Sequence, residues 1–279
     1  MNCNNKNWVK IIEGNKTITI TDKEGLEFLA YEVPSVNPKN EKIEIKGTDG
    51  YMPSVVNFDS FSLNLTFRYI GYDSTDVDLY CQSLRSLFNK RNPYYIMHSK
   101  LPGLKYAIDT AQVSYEKETI RHYKITVEFN CYKGFSESVN TTDDEFFFDS
   151  NWMFDNGIPL DFEPEYHHET NQFTIWNGSD DTIDPRNIHH QLQIQLNLNA
   201  TNGFELVNYT TGDIFRYNKS ITSDVDFVLS GIHAYRDQNK VGIDTNRGVI
   251  TLAPGKNEFK IKGDVTSQKV LFKFPFVYR

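Results

Sequence analysis

Two stretches in the first half of the chain alternate strictly between apolar and polar residues. A period of two is typical of a β-strand with one buried face, and strands of this kind usually pair antiparallel. The sequence therefore predicts two long strands in one sheet. Their apolar positions are Phe61, Leu63, Leu65, Phe67 and Tyr69 in the first, and Tyr123, Ile125, Val127, Phe129 and Cys131 in the second.

One amphipathic helix is predicted between these strands, from about Asp76 to Asn89. Its apolar residues recur at spacings of three and four, which places them on one stripe that would pack on the sheet. Thr75 and Asp78 resemble a capping box at its start, and Pro93 marks its far end. The stripe consists of Val77, Tyr80, Leu84, Leu87 and Phe88.

Weaker strand patterns surround this core of the first half. A turn at Gly47-Thr48-Asp49-Gly50 precedes the 61–69 strand, and a short strand with a turn is predicted within 92–105. The other candidate strands are Trp8–Ile12, Thr17–Ile20, Phe28–Val33, Lys42–Ile45 and Lys105–Tyr115.

The second half contains short strand patterns separated by turn signals, with no convincing helix. About eight strands at this spacing predict an antiparallel β-sandwich. The candidates are Gln172–Trp176, Gln191–Leu198, Phe204–Tyr209, Ile214–Tyr217, Asp226–Leu229, Gly248–Leu252, Asn257–Ile261 and Val270–Tyr278.

The length of 279 residues suits two domains. We predict a mainly β protein with an N-terminal domain in 1–135, made of a sheet and one packed helix, and a C-terminal sandwich in 161–279. Residues 136–160 are predicted to connect them. That segment is acidic and then aromatic from Asp143 to Phe154. It either packs along a domain or a neighbouring chain, or is an ordinary strand crossing between domains.

Charge and cysteine content narrow the possible functions. The formal net charge is −8, whereas a protein that coats nucleic acid needs a basic surface. The sequence shows neither a secretory signal nor a run of about 20 apolar residues that would span a membrane. Cys3, Cys81 and Cys131 are widely spaced, which predicts three reduced thiols and fits synthesis in a reducing cytosol.

No catalytic, cofactor-binding or metal-ligating residues are identified from the sequence. Motifs of nucleotide-binding proteins, serine hydrolases and zinc proteases are missing. The pairs His167-His168 and His189-His190 are interpreted as solvated loop histidines. Asp180, Asp181 and Asp184 lack the spacing of a calcium loop and are interpreted as a turn. Trp152 and Trp176 would stack on sugars if exposed, but the alternation around Trp176 favours a core position.

The order of these elements resembles the distal tail proteins (Dit) of siphophages that infect Gram-positive bacteria, in the phage tail-component family. In the first half the resemblance rests on the turn at 47–50, the 61–70 strand, the helix and the strands at 93–95 and 123–132. In the second half it rests on 173–178, 206–212, 254–259 and the last strand.

The resemblance implies an N-terminal domain that assembles into a six-fold ring and a C-terminal sandwich of galectin-like fold. Such a homo-hexamer would join the tail tube protein to baseplate or tail-tip proteins in the virion. DNA would pass through its channel without specific binding, and no cofactor, metal or membrane would be involved. An acidic lining that repels phosphate would suit that passage; this is a hypothesis based on the net charge.

Two other functions are weighed against this one. The first is a carbohydrate-binding module of a host-recognition device, which would bind cell-wall polysaccharide through 160–279. The second is an enzyme that acts on cell-wall polymers. With 37 acidic residues in the chain, no pair of carboxylates can be singled out as acid and base, so we expect no enzymatic activity.

Overall fold

The computed structural model describes residues 7–33, 36–54, 56–119, 121–145, 152, 157–159 and 161–279. It forms two compact units, Met1–Ser136 with Arg279 and Glu137–Tyr278. The described residues are mainly in antiparallel strands, with one α-helix. The predicted mainly β fold class is therefore confirmed.

The first unit contains one long sheet, a helix and two short hairpin ladders. A 3-10 turn at Ile20–Asp22 follows the second strand. The strands are β1 (Val9–Glu13), β2 (Lys16–Thr19), β3 (Leu26–Glu32), β4 (Pro38–Lys39), β5 (Lys42–Ile43), β6 (Met52–Pro53), β7 (Asn57–Phe58), β8 (Phe61–Ile70), β9 (Tyr94–His98), β10 (Leu104–Lys117) and β11 (His122–Ser138).

The strand order in the main sheet is β2-β1-β9-β10-β11-β8-β3. Its edge strands, β2 and β3, are consecutive in sequence and are joined by only six residues, 20–25. Such a link spans at most about 25 Å, whereas six inter-strand gaps in a flat sheet cover about 29 Å. The sheet is therefore curled, so that its two edges approach each other around the core.

The two strong strands of the sequence lie side by side in this sheet. Leu65 is opposite Val127 in the antiparallel pair of β8 and β11. Every apolar position predicted to face the core in these strands is buried. β11 is longer than the predicted strand and ends at Ser138.

The helix α1 (Ser74–Phe88) begins two residues before the predicted start. Its N-cap is Asp73, whose carboxylate accepts a 2.9 Å hydrogen bond from the Asp76 amide. The predicted capping box at Thr75 and Asp78 is therefore wrong. An Asp caps as well as a Thr, and Asp73 lies where the chain turns out of β8. The stripe is confirmed except for Leu87, which is half-buried, while Cys81 is buried instead.

The second unit contains two antiparallel sheets. Their orders are β12-β21-β14-β17-β18-β19 and β13-β20-β15-β16; a 3-10 turn lies at Gly242–Asp244. The strands are β12 (His167–His168), β13 (Gln172–Asn177), β14 (Gln193–Ala200), β15 (Phe204–Asn208), β16 (Ile214–Tyr217), β17 (Phe227–Ser230), β18 (His233–Arg236), β19 (Asn239–Lys240), β20 (Gly255–Lys262), β21 (Val265–Lys273) and β22 (Val277–Tyr278).

Phenylalanine side chains from the two sheets pack against each other in the core of this unit. Phe259 on β20 lies 4.9 Å from Phe272 on β21 between ring centroids. Phe204 on β15 and Phe227 on β17 are 5.4 Å apart, edge to face. These contacts show a sandwich, because each pair joins one strand of the four-stranded sheet to one strand of the six-stranded sheet.

Two strand predictions in the second unit are wrong. Residues 248–252 form no strand; only Leu252 makes a bridge, to Ile183. The segment predicted as one strand, 270–278, is the end of β21 and the separate strand β22. In each case apolar residues line the core from an irregular backbone, a burial pattern that periodicity alone does not separate from a strand.

Residues 137–145 of the predicted connection belong to the second unit. Thr142 Oγ1 donates to the carbonyl of Phe272 at 2.8 Å, and the Phe276 amide donates to Ser138 Oγ at 2.9 Å. Most of the aromatic run of the connection, including Phe146, Phe147 and Phe148, lies outside the described residues.

Candidate functional site

The most unusual surface of the first unit is the excursion between β3 and β8, which we call the arm (residues 36–54 and 56–58). It is a narrow two-stranded ribbon. Pro38 pairs with Phe58 in one short ladder, and Ile43 pairs with Met52 in the next. The predicted turn at Gly47 and Gly50 lies at its tip, where both glycines have positive φ angles, +88° and +79°.

Every residue from 37 to 53 is exposed, although several are large and apolar. Ile43, Ile45, Tyr51 and Met52 are each about half exposed, between 49% and 53%. Scattered exposed apolar residues are ordinary on protein surfaces. Four of them lie within ten residues of one ribbon, and Ile43 is directly opposite Met52 across it. Exposed apolar side chains clustered in this way often mark contact sites.

At its base the arm is in contact with its own unit, where the Arg279 guanidinium lies 4.0 Å from the centre of the Phe58 ring, but 37–53 is exposed throughout. Its side-chain bonds are local, such as Ser54 Oγ to Asn40 Oδ1 at 2.9 Å and Thr48 Oγ1 to the Ile45 carbonyl at 2.9 Å. An isolated two-stranded ribbon is only marginally stable in water. A surface that covers the apolar residues of the arm would therefore stabilise it.

Charge on the arm is balanced, which permits contact with another copy of an acidic chain. Three lysines alternate with three carboxylates along it. In addition, the sheet of this unit ends in two edge strands, β2 and β3, whose outer backbone groups have no neighbouring strand among the described residues. Edges of this kind are common surfaces for association. The charged residues of the arm are Lys39, Glu41, Lys42, Glu44, Lys46 and Asp49.

The histidines singled out in the sequence do not come together as a site. The prediction that they are solvated is wrong for His190, which is buried and whose Nδ1 accepts a 3.0 Å hydrogen bond from the Asp184 amide. His168 is half-buried on β12 and stacks on Phe173 at 4.7 Å. Among the described residues, no three His, Cys, Asp or Glu side chains are placed to share a metal ion.

The surroundings of the remaining candidate site residues, an acidic loop and the cysteines, indicate structural roles. Asp184 pairs with Arg186 at 2.9 Å in a loop, as the turn interpretation predicts. Cys81 and Cys131 are buried free thiols, and burial raises the pKa of each. Cys3 lies outside the described residues. Within the described part of the chain, no helix has the length and apolar character to cross a membrane.

The two tryptophans considered for sugar stacking differ in their burial. Trp152 is buried, and its indole nitrogen donates to the Glu145 carbonyl at 3.1 Å. The core position predicted for Trp176 is wrong, because Phe173 and Ile175 take the inner face of β13. Trp176 is half-buried on the other face, where it donates to the Gly157 carbonyl at 2.7 Å and meets Phe162 edge-on.

The segment of the chain that contains the arm matches a known protein family. Residues 16–131 match the family described as phage tail protein RIFT-related domain. We call residues 16–131 the tail domain after this match. This tail domain includes the arm, α1 and most of the main sheet. No curated protein sequence matches the chain.

Solved structures extend the likeness beyond the tail domain. The crystal structure of SPP1 Dit (gp 19.1), described as a paradigm of hub adsorption apparatus in Gram-positive infecting phages, is similar with a TM-score of 0.67. The alignment covers 97% of this chain and 99% of that one at 13% identity. A chain of the phage p2 baseplate in its activated conformation with Sr aligns over 96% and 97% at 7% identity, with a TM-score of 0.40.

The resemblance to siphophage distal tail proteins is confirmed by these two findings, the family of the tail domain and the fold shared with SPP1 Dit. Sequence reasoning missed the arm, for which it predicted only the strand Lys42–Ile45 and the turn. The available signal was the absence of alternation between Gly50 and Phe61, beside a charged and apolar stretch at 41–46.

Proposed function

We propose that this protein is the distal tail hub of a siphophage virion and that its tail domain closes into a ring. The observation that carries the proposal is the arm: an exposed apolar ribbon on a phage tail domain. The fold shared with SPP1 Dit supports it, because that protein is described as a hub.

Ring closure requires head-to-tail contacts between two different surfaces of each copy. The arm supplies one of these surfaces, and an edge of the neighbouring sheet supplies the other. Six copies is the number that the resemblance to distal tail proteins implies. The ring would join the tail tube protein to baseplate proteins at the tail tip and leave a channel through which DNA passes. Its role is structural, without catalysis, cofactor or metal.

Light scattering and negative-stain electron microscopy of the purified full chain test this function. We expect a hexamer with a central hole for the wild type. Replacing two arm residues together, Ile43→Ser and Met52→Ser, removes apolar contact area and should yield monomers. The matched control is Leu79→Ser, a helix position that is 63% exposed but outside the arm, and it should leave the ring intact.

Two outcomes would contradict the proposal. A wild-type protein that stays monomeric at its highest soluble concentration would argue against a self-closing ring and favour a binding module. An arm variant that forms rings as well as the wild type would show that other surfaces close the ring. Saturable binding of cell-wall polysaccharide by the full chain would support the alternative function.

A further inference from the structure

The second unit contains a cavity of about 470 Å³ that opens between its two sheets. That volume lies in the range of small-molecule sites. The floor is apolar and comes from both sheets and from the loop after the 3-10 turn. The buried floor residues are Leu192, Ile194, Phe215, Leu229, Ala234 and Ile250.

The rim of the cavity is basic, in a chain with an excess of acidic residues. Arg186, His233, Lys240 and Arg247 line it, and none of the described lining residues is acidic. Arg186 is already paired with Asp184. In contrast, no carboxylate of the described residues forms a salt bridge with Lys240 or Arg247, both of which are exposed.

Arg247 is held over the cavity by a constrained backbone. Its φ angle is +55°, a left-handed conformation that is uncommon for residues other than glycine, asparagine and aspartate. The Arg247 amide donates to Thr245 Oγ1 at 3.0 Å. The next residue must be glycine, because a Cβ on Gly248 would lie 2.1 Å from the Ile214 carbonyl oxygen. Backbone strain of this kind often accompanies a functional residue.

Side-chain amides, two of them buried, fix the loop that carries Arg247, which we call the cavity loop (residues 245–252). Asn246 Nδ2 donates to the Ile214 carbonyl at 2.9 Å. Asn208 Nδ2 donates to the Thr251 carbonyl at 2.8 Å, and Asn177 Nδ2 donates to the Leu252 carbonyl at 2.9 Å. The wall of the cavity is therefore formed before any ligand arrives, which lowers the ordering cost of binding.

We propose that this cavity binds an amphipathic anion, that is, an apolar chain or ring with one anionic head group. The apolar part would enter between the sheets and displace water from the floor. The head group would lie at the rim between Lys240 and Arg247, whose charges lack a carboxylate partner. A cationic head would be repelled there, and a sugar would leave the apolar floor without a matching surface.

Three ligands that share one alkyl chain test the proposal: decanoate, 1-decanol and decyltrimethylammonium, each below its micelle concentration. Isothermal titration calorimetry on the full-length protein should show one decanoate bound per chain. We expect decanoate to bind roughly tenfold more tightly than decanol, as two partly exposed charge contacts would provide. Decyltrimethylammonium should bind most weakly.

Substitutions inside and outside the cavity test whether the ligand binds there. Lys240→Gln with Arg247→Asn should reduce decanoate affinity to that of decanol, and asparagine suits the left-handed backbone at 247. Lys260→Gln with Lys262→Gln makes the same change of charge on β20 away from the cavity, and should leave decanoate binding unchanged. Ala234→Phe would fill the cavity and abolish binding of all three ligands. If the Ala234→Phe protein does not fold, the two charge variants still test the proposal.

Three results would overturn the proposal. These are no decanoate binding, equal binding of the three head groups, and a Lys240 and Arg247 double variant that binds decanoate like the wild type. Each is independent of ring formation, so the proposed hub function and the cavity site can fail separately.

Discussion

The arm of the first unit and the cavity loop of the second are both irregular excursions from β-sheets, but they are stabilised in different ways. The arm is exposed along 37–53 and makes mainly local bonds. The cavity loop is tied to its sheets by the buried amides of Asn177 and Asn208. An excursion without internal support depends on a partner, whereas one with buried polar support is preorganised.

The largest effect is expected where the arm meets the sheet. Leu65 lies in the middle of β8, the strand that follows the arm, and is fully buried. Leu65→Asp should prevent folding of the first unit, because it buries an unpaired charge. Far-UV circular dichroism and hydrogen exchange would measure the loss. The control is Ile43→Asp, the same kind of change on the exposed arm, which should leave the fold intact; equal stability of both variants would show that Leu65 is not a core residue.

A substitution at Asn208 would remove side-chain hydrogen bonds that hold the cavity loop in place. Its amide donates to Thr251 and Asn257 and its oxygen accepts from the Thr210 amide. Asn208→Leu removes the side-chain donor of the buried Thr251 carbonyl, while Asn257 Oδ1 still accepts from the Ala253 amide. The free energy of unfolding should therefore fall by about 2 kcal/mol. Urea denaturation would measure it, with the exposed Asn218→Leu as control. A fall no larger than that of the control would mean that the loop is held by other contacts.

Low pH should destabilise the first unit through His98. Its side chain is fully buried among Phe28, Tyr31 and Tyr106, and neither ring nitrogen has a hydrogen-bond partner among the described residues. Burial, with a smaller contribution from Lys100, lowers the pKa of His98 to about 4. The unfolded chain, with a pKa near 6.5, binds a proton in this window and the folded chain does not.

The free energy of unfolding should therefore decrease as pH falls from about 6.5 to about 4, by about 3 kcal/mol in total. Urea denaturation across this range would measure the slope. His98→Phe keeps an aromatic ring and removes the titrating group, so it should flatten this part of the profile. An unchanged slope in that variant would assign the pH dependence to carboxylates elsewhere.

The smallest effect on stability is expected on the arm. Ile43→Ser with Met52→Ser should change the free energy of unfolding of the monomer by less than about 0.5 kcal/mol per site, because both residues are already exposed. Urea denaturation at concentrations below assembly would measure it. A large loss would show that the arm packs on its own chain and would weaken the case for a ring contact.

Much of the architecture was predictable because burial on one face imposes a period on the sequence. The strands β8, β11 and β16 and the stripe of α1 follow directly from that pattern. β18 and β19 were not predicted, because they are short and only one of their residues, Ala234, is buried. Trp176 was placed on the wrong face because both faces of β13 carry aromatic residues.

The sequence by itself determined the mainly β class, the helix and the resemblance to distal tail proteins, since each depends on local periodicity and on the order of elements. Only the tertiary structure decided which excursion is exposed and which is anchored. It also decided that His98 and His190 are buried and that four basic residues surround one apolar cavity. These properties depend on contacts between residues far apart in sequence, and no local pattern encodes such contacts.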